Sequence, residues 1–281
     1  MGKLLAFLSD FGYADSYVAE VKGVIKSLAP ATEIIDLTHG VEPGNLGAAA
    51  FILAGAYAYF PPGTLQLVVV DPGVGTERAI LAIRTKRYTF VGPDNGVLYE
   101  AVRREGEAEI FALDPERFAA ALRRAARGNQ VIERITAAGI SRTFHGRDVF
   151  APLAAFLLMG RPLERLARRL GSMQALPMPE ATAQGGRVLG RVLYSDRFGN
   201  LVTNIPASLL EPECEVLLST RTGVVTLGKP RGAYAEAPEG SPLALVGSRG
   251  FLELAVNRGS AREHFGAGFG DEVVVLAGGR G

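Results

Sequence analysis

The residues able to do chemistry in this chain stand where its apolar runs stop. Residues 65–70 are β-branched and almost wholly apolar, ending on Asp71-Pro72-Gly73, with Arg78 shortly after. Such a run predicts a strand buried on both faces, and Pro-Gly predicts the turn that closes it. A carboxylate at the carboxyl end of a buried strand lies on the edge where open α/β sheets bind ligands. Asp also starts turns for purely local reasons, so Asp71 taken alone reads equally as turn former and as reactive group. Asp10, Asp15, Asp36, His39, Asp94 and Asn95 share this double reading, each at a punctuation point after an apolar segment. His145 stands just before an expected helix N-terminus, whose dipole disfavours imidazolium, so a neutral ring there can orient water or accept from it. The 36–39 turn explains His39 adequately, and His264 falls in a polar C-terminal stretch with no chemical pattern.

Positioning these groups requires a parallel sheet. Residues 3–9 predict a first buried strand. From Ser16 or Tyr17 to Leu28, Val18, Val21, Val24, Ile25 and Leu28 mark one face of a helix that Pro30 stops. Residues 33–37 predict a second strand, and Asn45 caps a helix through Ala48, Phe51, Ile52 and Gly55. Strands alternating with helices give a βαβ series. Then residues 79–85 and 88–92, joined by Lys86-Arg87, predict a hairpin. Its first strand leaves the edge that holds Asp71 and its second returns, so Arg78 and Asp94-Asn95-Gly96 should lie near Asp71. Helices are expected over 98–103 and 115–127, and another after Asp148, a candidate N-cap, with Gly160 near its end.

Residues 171–186 turn to Pro, Gly, Ala and Met without periodicity and read as a linker. From 187 to 281 short strand-like segments with frequent turns predict a small β-barrel or sandwich. The expected organisation is therefore an α/β domain over 1–170, with a largely parallel, partly mixed sheet, and a smaller all-β domain over 187–281. In the second, Asp196-Arg197-Phe198-Gly199-Asn200 offers a carboxylate, an aromatic face and an amide. Together they could bind a flat heterocycle or a sugar, though an Asx-turn hairpin loop explains the spacing more simply. Ser248-Arg249-Gly250-Phe251, with Asn257 beyond, is a second loop of the same kind.

Composition excludes several classes. The 281 residues are 48% hydrophobic and 21% charged, with a formal net charge of +1, which describes an ordinary soluble globular protein. That balance gives no global electrostatic argument for nucleic acid or an anionic membrane. No apolar run reaches the roughly 20 residues of a membrane helix, and the N-terminus lacks a signal-peptide pattern. The single Cys214 rules out an intramolecular disulfide and a Cys-built metal site. A cytoplasmic location is the expectation. Asp71-Pro72-Gly73-Val74-Gly75 lacks the Gly-Lys-Ser/Thr ending of a Walker loop, and GxGxxG, GxSxG, HExxH and EF-hand patterns are absent. By residue type, Asp10, Asp71, Asp94 and His145 could still ligate a divalent metal.

Seven motifs, in order, resemble one family: SDFGYADSYV at 9–18, DLTHGVEPGN at 36–45, VVVDPGVGTER at 68–78, GPDNGVL at 92–98, TFHGRDVFAP at 143–152, DRFGNLVTNI at 196–205 and SRGFLELAVN at 248–257. The chain is similar over nearly its whole length to the SAM hydroxide adenosyltransferases (S-adenosyl-L-methionine hydrolases, adenosine-forming), relatives of the fluorinase and chlorinase enzymes. The resemblance implies an N-terminal α/β domain, a C-terminal β-barrel, and a homotrimer with sites between subunits. It places a water-activating set on Asp71, Arg78 and His145, and the ribose-hydroxyl carboxylate on Asp10. Phe198 and Asn200 match a ring contact and a ribose-side amide. Asp196 and Ser248 match groups at the methionine end, with Arg249 nearby, and Glu253 and Val256 fall in the stretch that meets adenine. Halogenating relatives carry Tyr where this chain has Asp71, and the fluorinase has Ser where it has Gly146. A carboxylate repels a halide but can hold or deprotonate water. The resemblance therefore implies SAM hydrolysis to adenosine and L-methionine, with no metal, no cofactor besides the substrate, and no nucleic-acid or membrane partner. Three alternatives stand beside it: a SAM-dependent halide adenosyltransferase, a metal-dependent phosphoesterase or nucleotidase, and a non-catalytic SAM or adenosine sensor.

Overall fold

Apolar, β-branched runs and amphipathic helices with local caps build the first of two units, Met1–Pro177. The structure is a computed structural model and describes residues 3–221 and 223–278. In chain order the first unit holds β1 (Leu4–Ser9), α1 (Tyr17–Leu28), β2 (Glu33–Thr38), α2 (Leu46–Ala56), β3 (Leu65–Val69), β4 (Ile80–Thr85), β5 (Thr89–Pro93) and α3 (Tyr99–Glu105). Then follow β6 (Ala108–Leu113), α4 (Pro115–Ala126), α5 (Gln130–Ala138), α6 (Ala151–Leu158) and β7 (Ala167–Leu170). The sheet order is β2-β1-β3-β5-β4-β6-β7. β1 runs parallel to β2 and β3, and β3 to β5, whereas β4, β6 and β7 pair antiparallel. The sheet is thus mixed, with a parallel first half. The carboxyl ends of β1, β2, β3 and β5 share one edge, and Asp10, His39, Asp71 and Asp94 follow those ends.

Local sequence explains most of these elements. Val18, Val21, Val24 and Ile25 are buried on one face of α1, and full burial of such a side chain is worth about 1.5–3 kcal/mol. The Asn45 side chain accepts from Ala48 N at 2.9 Å and starts α2. Lys86-Arg87 does form the two-residue turn of the β4–β5 hairpin, closed by Thr85 N to Tyr88 O at 2.9 Å. α5, β6 and β7 go beyond the elements expected from sequence. The signals of α5 are nonetheless local, because Asn129 caps it and Ile132 and Ile135 bury.

One expectation is corrected. Asp148 does not cap the helix that follows His145. A π-helical turn, Gly146–Phe150, precedes α6, and the fully buried Asp148 lies inside it. Its carboxylate accepts from Ser141 N at 2.8 Å and from Arg147 Nε at 2.7 Å, so it folds the preceding loop instead. Gly160, at φ +84°, lies two residues past the end of α6.

The second unit, Met178–Gly281, contains β8 (Thr182–Gln184), β9 (Arg187–Ser195), β10 (Leu201–Pro206), β11 (Glu215–Thr220), β12 (Gly223–Gly228), β13 (Pro242–Val246), β14 (Phe251–Val256), α7 (Ala261–Phe265) and β15 (Glu272–Leu276). β8 falls inside the stretch read as linker and pairs with β9. The remaining order is β12-β11-β15-β9-β10-β14-β13, antiparallel throughout. The end strands β12 and β13 come together, and Arg231 bridges Leu245 beside them, so the sheet curls into a nearly closed barrel. Its interior is filled by alternating residues such as Val192, Leu201, Val216, Leu218, Leu254 and Val273. Among the described residues no helix is long and apolar enough to cross a membrane.

Candidate active site

β3 and the turn after it deliver Asp71 to the parallel edge. The turn is tightened by Val74 N to Asp71 O at 3.1 Å and carries the chain back to Arg78. Arg78 Nε lies 2.7 and 2.8 Å from the two oxygens of Asp71, and Nη2 donates to Oδ2 as well. Both side chains are nearly sealed, with 10% of Arg78 and 5% of Asp71 exposed. Arg78 Nη2 also lies 2.9 Å from His145 Nδ1. A guanidinium has no acceptor, so Nδ1 must accept and the imidazole proton resides on Nε2. Burial, and then the Arg78 charge, hold His145 below the ordinary imidazole range, against the pull of Asp71 and Asp148. The ring is therefore neutral near pH 7.

The loop that brings His145 is fixed to the Asp71 turn by close backbone approach. Gly75 has φ +80°, and a Cβ there would strike the carbonyl of Arg142. Only glycine suits that position. Gly146 is a second close approach. A Cβ would lie 3.0 Å from the Phe11 ring and 3.1 Å from the Phe144 ring. Phe11, Tyr17 and Phe144 form an aromatic cluster there, with centroids 5.0–6.0 Å apart and Phe144 edge-to-face with the other two.

Asp10 joins this edge. Its Oδ2 accepts from Gly44 N at 2.8 Å, and Gly44 lies against Pro72 of the Asp71 turn. Burial raises the Asp10 pKa; the Gly44 bond opposes that shift and the Asp71 charge reinforces it. The β4–β5 hairpin returns the chain to this edge, where Asp94 N donates to Ala79 O at 2.9 Å, beside Arg78. Asn95 Nδ2 donates to Val70 O at 2.9 Å, next to Asp71. The Asp94 side chain accepts from Gln174 N at 2.7 Å and anchors the segment after β7. Among the described residues no three His, Cys, Asp or Glu side chains converge as a metal-ligand set.

In the second unit, all seven residues singled out from sequence line one cavity of about 960 Å³: Asp196, Phe198, Asn200, Ser248, Arg249, Glu253 and Val256. The Asx turn is present too. Asp196 Oδ1 accepts from Phe198 N and Asn200 N, both at 2.9 Å, and Oδ2 from Asn200 Nδ2 at 3.0 Å. That turn leaves Phe198 77% exposed at the cavity wall, where its ring can stack on a ligand. Tyr234 is the residue sequence reasoning missed. Its hydroxyl lies 3.2 Å from Glu253 Oε2 and 3.5 Å from Asn200 Nδ2. Burial and the Glu253 charge push its pKa up to about 12, so it stays a phenol. Burial likewise raises Glu253, with Tyr234 opposing and Asp196 reinforcing. Tyr234 sits in a short 3₁₀ turn outside any strand or motif, which left it no periodic signal.

Fold and site define a class: a protein with an α/β unit carrying an Asp–Arg–His cluster at a parallel sheet edge, and a β-barrel-like unit with an aromatic, polar cavity. Residues 5–167 match the model of the SAM hydroxide adenosyltransferase N-terminal domain, and residues 190–274 that of the C-terminal domain. The chain belongs to the SAM hydroxide adenosyltransferase family. It is 41% identical to a Thermus thermophilus protein named (R)-S-adenosyl-L-methionine hydrolase, over 96% of this chain and 98% of that one. A solved structure of an uncharacterized conserved protein from Thermotoga maritima is similar at TM-score 0.82 and 38% identity, covering 97% of this chain and 99% of that one. A fluorinase from an Actinoplanes species is 28% identical over 90% of this chain and 91% of its own.

Proposed function

We propose that this chain hydrolyses S-adenosyl-L-methionine to adenosine and L-methionine by attack of water on the ribose 5′ carbon. The carrying observation is the Asp71–Arg78–His145 cluster, in which Arg78 donates to both neighbours. With Nδ1 engaged, His145 offers Nε2–H to a water oxygen and cannot take its proton at Nδ1. Asp71 is then the proton acceptor, and Arg78 offsets the negative charge that builds as the proton leaves. The C5′–S bond breaks with its electron pair going to sulfur, which becomes the neutral thioether of methionine. The C5′–O bond forms, one water proton stays on the new hydroxyl and the other passes through Asp71 to solvent. A sulfonium leaves without acid, metal or redox help, so the step requires only this substrate and water. Alignment of water and carbon can contribute on the order of 7–11 kcal/mol.

In this reading Asp10 holds the ribose hydroxyls. The rings of Phe198 and Tyr234 flank the adenine cavity with Glu253 and Val256, Asn200 serves the ribose side, and Asp196, Ser248 and Arg249 serve the methionine end. The relatives named as SAM hydrolases support the substrate, and the carboxylate at Asp71 favours water over an anionic halide. A homotrimer in the cytoplasm, without nucleic-acid or membrane partners, belongs to the same proposal, and light scattering tests the assembly. The chemistry is tested by turnover in ¹⁸O-water without halide. The expected product is adenosine labelled at its 5′ oxygen, with methionine in equal amount. Unlabelled adenosine, or activity that needs a divalent ion, would overturn the reading.

A further inference from the structure

At its carboxyl end β2 slips against β1: Phe7 pairs with Asp36 but Leu8 pairs with Thr38, leaving Leu37 unmatched. An extra residue of this kind re-aims the side chains beyond it. Here it sets His39 beside Ser9, both side chains sealed from solvent. A single chain of polar contacts follows. Phe11 N donates to Ser9 Oγ at 3.3 Å, and Ser9 Oγ lies 2.6 Å from His39 Nδ1. His39 Nε2 lies 3.2 Å from Asp36 Oδ1, off the line of a good hydrogen bond. Asp36 Oδ2 accepts from Lys22 Nζ at 2.6 Å and from Tyr13 OH at 3.0 Å. The rings of Phe7 and Tyr13 meet the imidazole edge-on, at 4.5 and 5.2 Å between centroids.

Ser–His–Asp is the order of a nucleophilic relay, but a fully buried Ser9 hydroxyl reaches no substrate. The contacts lead instead to Asp10, the next residue. The His39 carbonyl accepts from Gly12 N at 2.7 Å, which binds the loop after β1 to the loop after β2. That second loop supplies Gly44 N to the Asp10 carboxylate. Asp10 thus stands between two loops that His39 joins through its backbone on one side and its ring on the other.

We propose that His39 is a positioning residue that, through Ser9 and the two loops, fixes the Asp10 carboxylate for the vicinal hydroxyls of the adenosyl ribose. The proposal rests on the reading of Asp10 as the ribose contact. The Asp36 carboxylate beside Nε2 can only accept, so the neutral ring carries its proton on Nε2 and Nδ1 accepts from the Ser9 hydroxyl.

Calorimetry of adenosine and of 2′,3′-dideoxyadenosine, on the full chain and its variants, tests this. Ser9→Ala removes one hydroxyl and keeps the test open if His39→Gln does not fold. Each is expected to weaken adenosine about tenfold, to leave dideoxyadenosine unchanged, and Ser9→Ala should add nothing in an Asp10→Asn background. Equal weakening of both ligands, or full additivity with Asp10→Asn, would show a merely structural role and overturn the proposal. Failure of the underlying assignment looks different: the unaltered protein would bind both ligands alike and Asp10→Asn would change neither, which removes the proposal with it.

Discussion

Replacing Asp71 by Asn keeps the shape of the side chain and removes its charge. Arg78 makes three donor contacts to the Asp71 carboxylate, and an amide can accept at one atom only, so its NH₂ must face a guanidinium donor. Both side chains are at most 10% exposed, so the orphaned cation is poorly served by water. Removing one partner of such a pair costs about 3–5 kcal/mol; the residual exposure of Arg78 favours the lower end. Turnover should fall further for a separate reason. In the proposed mechanism Asp71 takes the proton, and loss of a positioned base lowers the rate by about 10²–10⁴. The two effects separate in Asp71→Asn/Arg78→Met. That variant should recover most of the stability, because replacing both members of a buried pair is often neutral, while recovering no activity. Urea unfolding measures the first quantity, and chromatographic release of adenosine the second. Asp71→Asn turning over within about threefold of the unaltered protein would refute Asp71 as proton acceptor, given the base contribution expected. So would a double variant that regains its rate.

Burial and Arg78 hold His145 below the ordinary value of 6.5, so kcat/KM should stay flat as pH falls through 6.5 and drop only below it; an acid limb centred above 6.5 would contradict the neutral donor. Burial also lowers His39, with Asp36 opposing. The unfolded chain therefore takes up a proton near 6.5 that the folded chain refuses, and stability is lost as pH falls from 6.5 toward the folded value. Urea midpoints across that interval should show the slope, and His39→Gln should reduce it, leaving the share that the lowered His145 contributes. Phe198→Ala should leave stability within about 0.5 kcal/mol, because the ring is exposed, yet raise KM by about tenfold through lost stacking; an unchanged KM would remove Phe198 from the site. Gly146→Ser puts a Cβ against Phe11 and Phe144 and should cost about 1–3 kcal/mol by overpacking, read from thermal or urea unfolding.

Elements with local causes were legible in the sequence. The α1 stripe, the Asn45 cap and the Lys86-Arg87 turn each depend on residues within a few positions of one another, and each stands in the structure where its sequence signal lies. Asp148 was misread because its partner, Ser141 N, precedes it in an irregular loop, where no periodicity reports a bond. The hairpin fixes where the chain goes at Asp94, beside Ala79, but not where that side chain points. It turns to Gln174, 80 residues away in sequence. Tyr234 escaped because a short turn carries no repeating pattern.

By itself, the sequence determined which groups end the strands, that a parallel edge collects them, and, through seven ordered motifs, the family. Whether Asp71 is turn former or reactive group was left even by its own neighbourhood. The contacts that bear on that choice cross the chain. Arg78 reaches Asp71 because β4 starts at the edge where β3 ends, and His145 arrives 67 residues later to accept from the same guanidinium. The tautomer of His145 follows from that one bond, and the proposal that Asp71 takes the proton rests on it. Hydrogen bonds between distant residues are set by packing and burial, which no local pattern encodes, so the tertiary structure alone decided them.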